Sequence, residues 1–228
     1  MYFLAALPEM EPSDNVVGLL SNLIHRAQLA EPLRAGANRD SLRRLLAAWV
    51  LQCPNKSEIA LQSRFHVAET NQLAETLPLA VAVATRGKNY ETASLQIRMN
   101  ALRLIGRLGG PEHVDTLEPL LGDKTLCLPA EALGRFGGPE GGANIEVRDI
   151  ALVVLLRITG QDPAEYGYPH AQRPDSQDLS IHLMFPTSVE QREKAITKWR
   201  QWKQEHKGNL RESQRSRTEA ARKSVQGK

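Results

Sequence analysis

Six histidines, at positions 25, 66, 113, 170, 182 and 206, and two cysteines, Cys53 and Cys127, are the side chains best suited to metal or nucleophilic chemistry. Zinc and iron sites commonly include a local ligand pair three or four residues apart. No two of these histidines share that spacing, and the cysteines lie far apart in the sequence with no CxxC pair. That pattern argues against a disulfide framework and a zinc site, and both thiols read as reduced and packed. His66, beside Phe65, reads as a helix-packing residue. The chain has no HExxH, no GxSxG, no GxxxxGK[ST], and no GxGxxG after a strand. We therefore expect no enzymatic activity, no catalytic residue, no cofactor and no metal.

The Gly137-Gly138-Pro139-Glu140-Gly141-Gly142 run precedes a helix start, where backbone donors could cradle a phosphate. Glu146 and Asp149 occupy the first turn that follows and would repel an anion, so the run reads as a connector. Trp199 and Trp202 share a helical face with Ala195 and Ile196, ringed by Lys194, Lys198, Arg200 and Lys203. This could be a membrane-surface helix, or a terminal helix that buries its indoles against the body of the fold.

These groups must be held by a scaffold whose class the composition restricts. Of 228 residues 41% are hydrophobic and 24% charged, which is globular, yet only 5% are aromatic, too few for an aromatic-rich β-sandwich. Leu, Ala, Arg and Glu favour helix. The net charge of +3 is unevenly spread: residues 189–228 hold 12 basic and 5 acidic side chains, and residues 1–188 hold 17 and 21. The basic balance is thus a property of the C-terminal segment, and nucleic acid is an expected partner only through that tail. The apolar run Phe3 to Leu7 is too short for the core of a signal peptide, and no stretch approaches the ~20 apolar residues of a membrane span. We expect a cytoplasmic protein, unless an upstream segment supplies an export signal or anchor.

Caps and breakers place the helices. Ser13 or Asp14 can cap a helix over about 14–30, and Asp40-Ser41 opens a second that Pro54 stops. Lys56 or Ser57 starts a third, through about 69. A fourth follows Asn71 and runs to Gly87, with Pro78 as its kink or its true start. Leu77 to Ala84 alternates like a strand, but flanking helices argue against an isolated one. Two segments, 123–145 and 163–187, read as long loops. Ser188 caps a last helix over 188–206, and 208–228 is a basic tail with almost no core-forming residue, expected to be disordered or frayed helix.

An internal repeat sets the architecture. Ile97 to Ile105 aligns with Val147 to Leu155 at an offset of 50, keeping the Arg, the Ala-Leu pair and the apolar face. Gly106 to Glu112 recurs as Gly134 to Glu140 at an offset of 28. A helix, a Gly-Gly turn and a Pro opening the next helix make an antiparallel pair. From Ile97 to Gly122 the chain resembles HEAT/armadillo-like helical repeats. The stretches Val147 to Gln161, Tyr166-Gly167-Tyr168 and Lys198 to Trp202 resemble bacterial HEAT-like proteins that lack an assigned activity. The resemblance covers about 40–206 and is broken at 123–145, where Gly141 to Asn144 stands in place of a second helix.

The resemblance implies an all-α, HEAT/armadillo-like α-solenoid of three to four irregular helix pairs over 1–207, with 188–206 as its capping helix. It implies a non-enzymatic module that binds or scaffolds another protein. The alternatives are a nucleic-acid-binding HEAT-like protein, which the acidic body opposes, a HEAT-like lyase or glycosylase, which no motif marks, and a membrane-attached member. Arg98 and Arg148, at the same repeat position, could form a basic ladder on the concave surface. The favoured alternative is that they pair with a carboxylate such as Glu91 or Asp149, as groove-lining arginines mostly do. Tyr166, Tyr168 and Phe185 concentrate aromatic area in the second loop and are expected either to anchor the partner or to pin that loop to the helices beneath.

Overall fold

The computed structural model describes residues 13–18, 39–130, 143–171, 179–180, 184, 186–208, 210 and 212. The chain divides into two compact units, Met1–Leu108 and Gly109–Lys228. The described residues are mostly helical, with one two-stranded ribbon. Among them no helix is long and apolar enough to cross a membrane.

In the first unit, a helical turn at 14–18 buries Val17. The remainder of the first expected helix lies outside the described residues. Helix α1 (Arg39–Gln52) turns Leu46, Ala47, Trp49 and Val50 inward and ends before Pro54. Helix α2 (Glu58–Thr70) opens at Ser57, whose hydroxyl accepts the Ala60 N–H and donates to Asp14, tying the 14–18 turn to this cap. The pair is antiparallel and each helix closes the other's open end. Arg43 of α1 donates to the carbonyls of Asn71 and Gln72 after α2 at 2.7 and 2.8 Å. Arg64 of α2 donates to Val50, Leu51 and Asn55 at the end of α1, its Nε 2.7 Å from the Val50 oxygen. Carbonyls left unpaired at a helix C-terminus are thereby satisfied by guanidinium donors.

A 3₁₀ turn (Ala74–Thr76) leads into α3 (Leu77–Ala84), where Pro78 sits in the first turn and marks the true start of the helix. The strand-like alternation of this segment resolves as a short helix because its residues are buried on several sides. Helix α4 (Leu95–Leu108) packs against α2 and α3 through Ile97, Ala101, Leu102, Leu104 and Ile105. Arg98 of α4 is buried and donates to the Ala84 carbonyl at the end of α3. Its reach back along the chain is the same as that from Arg64 to Val50. One device therefore closes two successive helix pairs.

The second unit is built on α6 (Val147–Ile158), which is buried along its whole length except at Arg157. A 3₁₀ turn (Pro111–His113), the one-turn helix α5 (Val114–Leu117) and a second 3₁₀ turn (Glu118–Gly122) lay Val114, Leu117, Leu120 and Leu121 on this unit's core. The 123–145 segment, expected as a loop, carries strand β1 (Leu126–Leu128), which pairs antiparallel with β2 (Ile145–Glu146). Backbone bonds from Val147 to Thr125 and from Arg148 to Asp123 continue that pairing into the first turn of α6. The Gly137 to Gly142 run lies outside the described residues.

After α6, Asp162 caps a 3₁₀ turn (Pro163–Tyr166) inside the second expected loop. Gly167 follows at φ 83°, where a Cβ would lie 2.2 Å from the Gln191 side chain, so turn and close approach both require glycine. Helix α7 (Val189–Glu205) is capped by the Ser188 hydroxyl and buries Arg192, Ala195, Ile196 and Trp199. Trp202 stacks on the buried Trp199 at 5.3 Å and on His206 at 4.6 Å. Past the expected boundary at 207, the Leu210 N–H bonds to the His206 carbonyl and its side chain is buried. Residues 213–228 of the expected tail lie outside the described residues.

Candidate functional site

In the first unit, α2 and α4 lie side by side and present polar side chains into a cleft of about 440 Å³. Each position on α2 has its counterpart at the same place on α4: Gln62 with Gln96, His66 with Asn100, Glu69 with Arg103. Steps of four and then three along each helix keep each set on one face. Beneath this stripe Val67, Ala68, Leu102 and Leu104 are buried, so the polar row is a committed face over an apolar core. Gln96 donates to Asn100 at 3.3 Å. At the end of the row, the mostly buried Glu69 carboxylate accepts from Arg103 at 2.9 Å and from Arg107 at 2.5 Å. Two guanidiniums on one carboxylate leave that end of the cleft positive.

The second unit holds a buried ionic cluster around Asp149, which is fully buried and closes the capping box of α6. Arg192 reaches it from α7 with a two-pronged contact, Nε to Oδ1 at 2.7 Å and Nη2 to Oδ2 at 2.8 Å. The Tyr168 hydroxyl donates to Oδ1 at 2.7 Å and the Glu146 N–H to Oδ2 at 2.8 Å. Arg192 also pairs with Glu146 at 3.3 Å and donates to the Asn144 carbonyl. Arg148 bridges Glu146 at 2.6 Å and Glu193 at 2.7 Å.

Burial pushes the Asp149 carboxyl above its ordinary range, while Arg192, the Tyr168 hydroxyl and the Glu146 N–H pull it back. Burial also works against the Arg192 charge, but bonding to Asp149 and the nearby Asp149 and Glu146 charges outweigh it and hold that guanidinium ionised. The Tyr168 phenol is driven far up, first by burial and then by the Asp149 carboxylate beside it. A multidentate carboxylate with this many donors positions three elements at once: the α6 start, the 163–168 turn and α7.

The side chains expected to meet a partner are placed as follows. Tyr166 and Tyr168 are buried in the second unit. The Tyr166 hydroxyl donates to Gln161, and Lys198 stands 4.3 Å over its ring. Arg148 is buried in the ionic cluster and pairs with Glu146 and Glu193, Asp149 being taken by Arg192. Arg98 is buried in the first unit at the end of α3, not in the polar cleft. Phe185 lies outside the described residues.

Sequence reasoning missed the Gln62 to Arg103 row and the Asp149–Arg192 pair. A signal for the first exists: Leu61-Gln62-Ser63-Arg64 recurs as Leu95-Gln96-Ile97-Arg98, and the Gln of each copy faces the cleft while the Arg closes a helix end. The chain matches no family model, no curated protein and no solved structure.

Proposed function

We propose that this chain is a non-enzymatic protein-binding module built on HEAT-like helical repeats, and that the cleft between α2 and α4 is its partner surface. The observation that carries the reading is the row of repeat-equivalent polar side chains, Gln62 with Gln96, His66 with Asn100, and Glu69 with Arg103, facing one cleft. Amide side chains donate and accept at once, so a row of them can pair with the main chain of an extended segment whatever its side chains are. The twice-used arginine closure, by Arg64 and then by Arg98, supports the repeat reading. Stacked pairs bury one face of each helix and leave the other facing a shared surface, which is where repeat proteins bind.

The test is affinity capture from the protein's own cells with wild type and with Gln62→Ala/Gln96→Ala/Asn100→Ala. These side chains are not core residues, so the variant should melt as wild type does and lose the captured partner. Undiminished capture by the variant would sink the assignment of this cleft.

A further inference from the structure

The second unit carries a separate cleft of about 550 Å³, lined by Val114, Asp115, Glu118 and Leu210 and by residues of α7 and the turn after it. Arg200, Lys203, Gln204 and Lys207 lie at i, i+3, i+4 and i+7, so all four project from one helical face into this concavity. Their electrostatic roles differ. Lys203 is committed: its ammonium sits 2.7 Å from Asp115 and also pairs with Glu118. Burial alone would weaken that charge, but the bonds to the two carboxylates raise its pKa above the ordinary value and keep it ionised.

Arg200 and Lys207 have no such partner. Both are exposed cleft-lining cations, and neither makes an ion pair or side-chain hydrogen bond among the described residues. Lys203 offsets one of the two carboxylate charges of Asp115 and Glu118, so with Arg200 and Lys207 the lining as a whole keeps a formal charge of +1. Two uncommitted cations two helical turns apart therefore line a cleft that also holds the apolar Val114 and Leu210. A concavity focuses the field of its charges and raises the local concentration of counter-ions of opposite sign.

We propose that this cleft is an anion-binding site for a small ligand bearing a phosphate or carboxylate group. Arg200 and Lys207 hold the charged group, Gln204 supplies a neutral donor between them, and Val114 and Leu210 take the ligand's apolar part. Arg200 offers a planar fork suited to two oxygens at once, whereas Lys207 acts as a point charge.

The test uses the full chain at low ionic strength, titrated calorimetrically with inorganic phosphate and, separately, with citrate. The site predicts saturable binding of at least one probe, a loss of roughly tenfold or more in Arg200→Gln/Lys207→Gln, and an unchanged melting temperature. Binding of phosphate alone assigns a phosphate ligand, and binding of citrate alone a carboxylate ligand. Arg103→Ala, in the other unit's cleft, should leave the titration unaltered and so separates this site from the proposed partner surface. No saturable binding of either probe, or binding that survives both Arg200→Gln and the double replacement, would overturn the proposal.

Discussion

Asp149 and Arg192 show how one buried charge can order a whole unit. The carboxylate is fully buried and every strong donor near it comes from a different part of the chain. Removing one partner strands the other, so Arg192→Met should destabilise the protein by about 3–5 kcal/mol in urea denaturation. Adding Asp149→Leu should recover part of that loss, because the stranded charge is then gone. A variant Arg192→Met with an unchanged midpoint would show that α7 is held by Trp199 and Ile196 alone. Tyr168 offers a spectroscopic reading of the same cluster. Its folded pKa is raised, so the stability it contributes is fully present below the ordinary tyrosine value of about 10 and is lost as pH rises beyond it. In an alkaline absorbance titration, the phenol signal that Tyr168→Phe removes should be one that appears only as the protein unfolds. Ionisation of Tyr168 before the loss of helix would place it outside the cluster.

At the scale of elements, the helices were legible because their ends carry chemistry. Ser57 and Ser188 cap where a cap residue precedes an apolar period, and Pro54 and Pro78 punctuate where proline must. The offset-50 alignment places Leu102, Ile105, Leu152 and Leu155 at equivalent positions, and all four are buried. Leu152→Ala should accordingly cost about 2–5 kcal/mol, measured by thermal or urea unfolding. The same alignment does not fix what each arginine meets. Arg98 and Arg148 are equivalent in sequence, but Arg98 has Gln96 two residues before it and Arg148 has Glu146. A carboxylate there turns the second arginine into an ion-pair member, while the first reaches back to a carbonyl. The ribbon of β1 and β2 was illegible because two such short strands, separated by a Gly-rich run, carry no period long enough to read. Arg192 was hidden for the opposite reason: on a helix as charged as α7, one inward guanidinium looks like the solvated ones around it.

At the scale of the whole molecule, basic charge and candidate partner surface fall in different units. The polar row of α2 and α4 belongs to the first unit, and the +7 segment, 189–228, belongs to the second. The C-terminal boundary follows from burial, not charge. Leu210 is buried, so truncation after Lys207 should lower the melting temperature. Truncation after Glu212 should leave it unaltered, since the residues beyond are too polar to offset their ordering entropy.

The most direct test of the partner surface is a photo-crosslinking residue placed at Gln96 in the cleft, and separately at the exposed Lys194 on α7, each expressed in the protein's own cells. The cleft assignment requires a discrete crosslinked protein from position 96, lost when Gln62→Ala/Asn100→Ala is added, and none of the same identity from position 194. A crosslink to that protein from position 194 alone, or no crosslink from position 96, would contradict it.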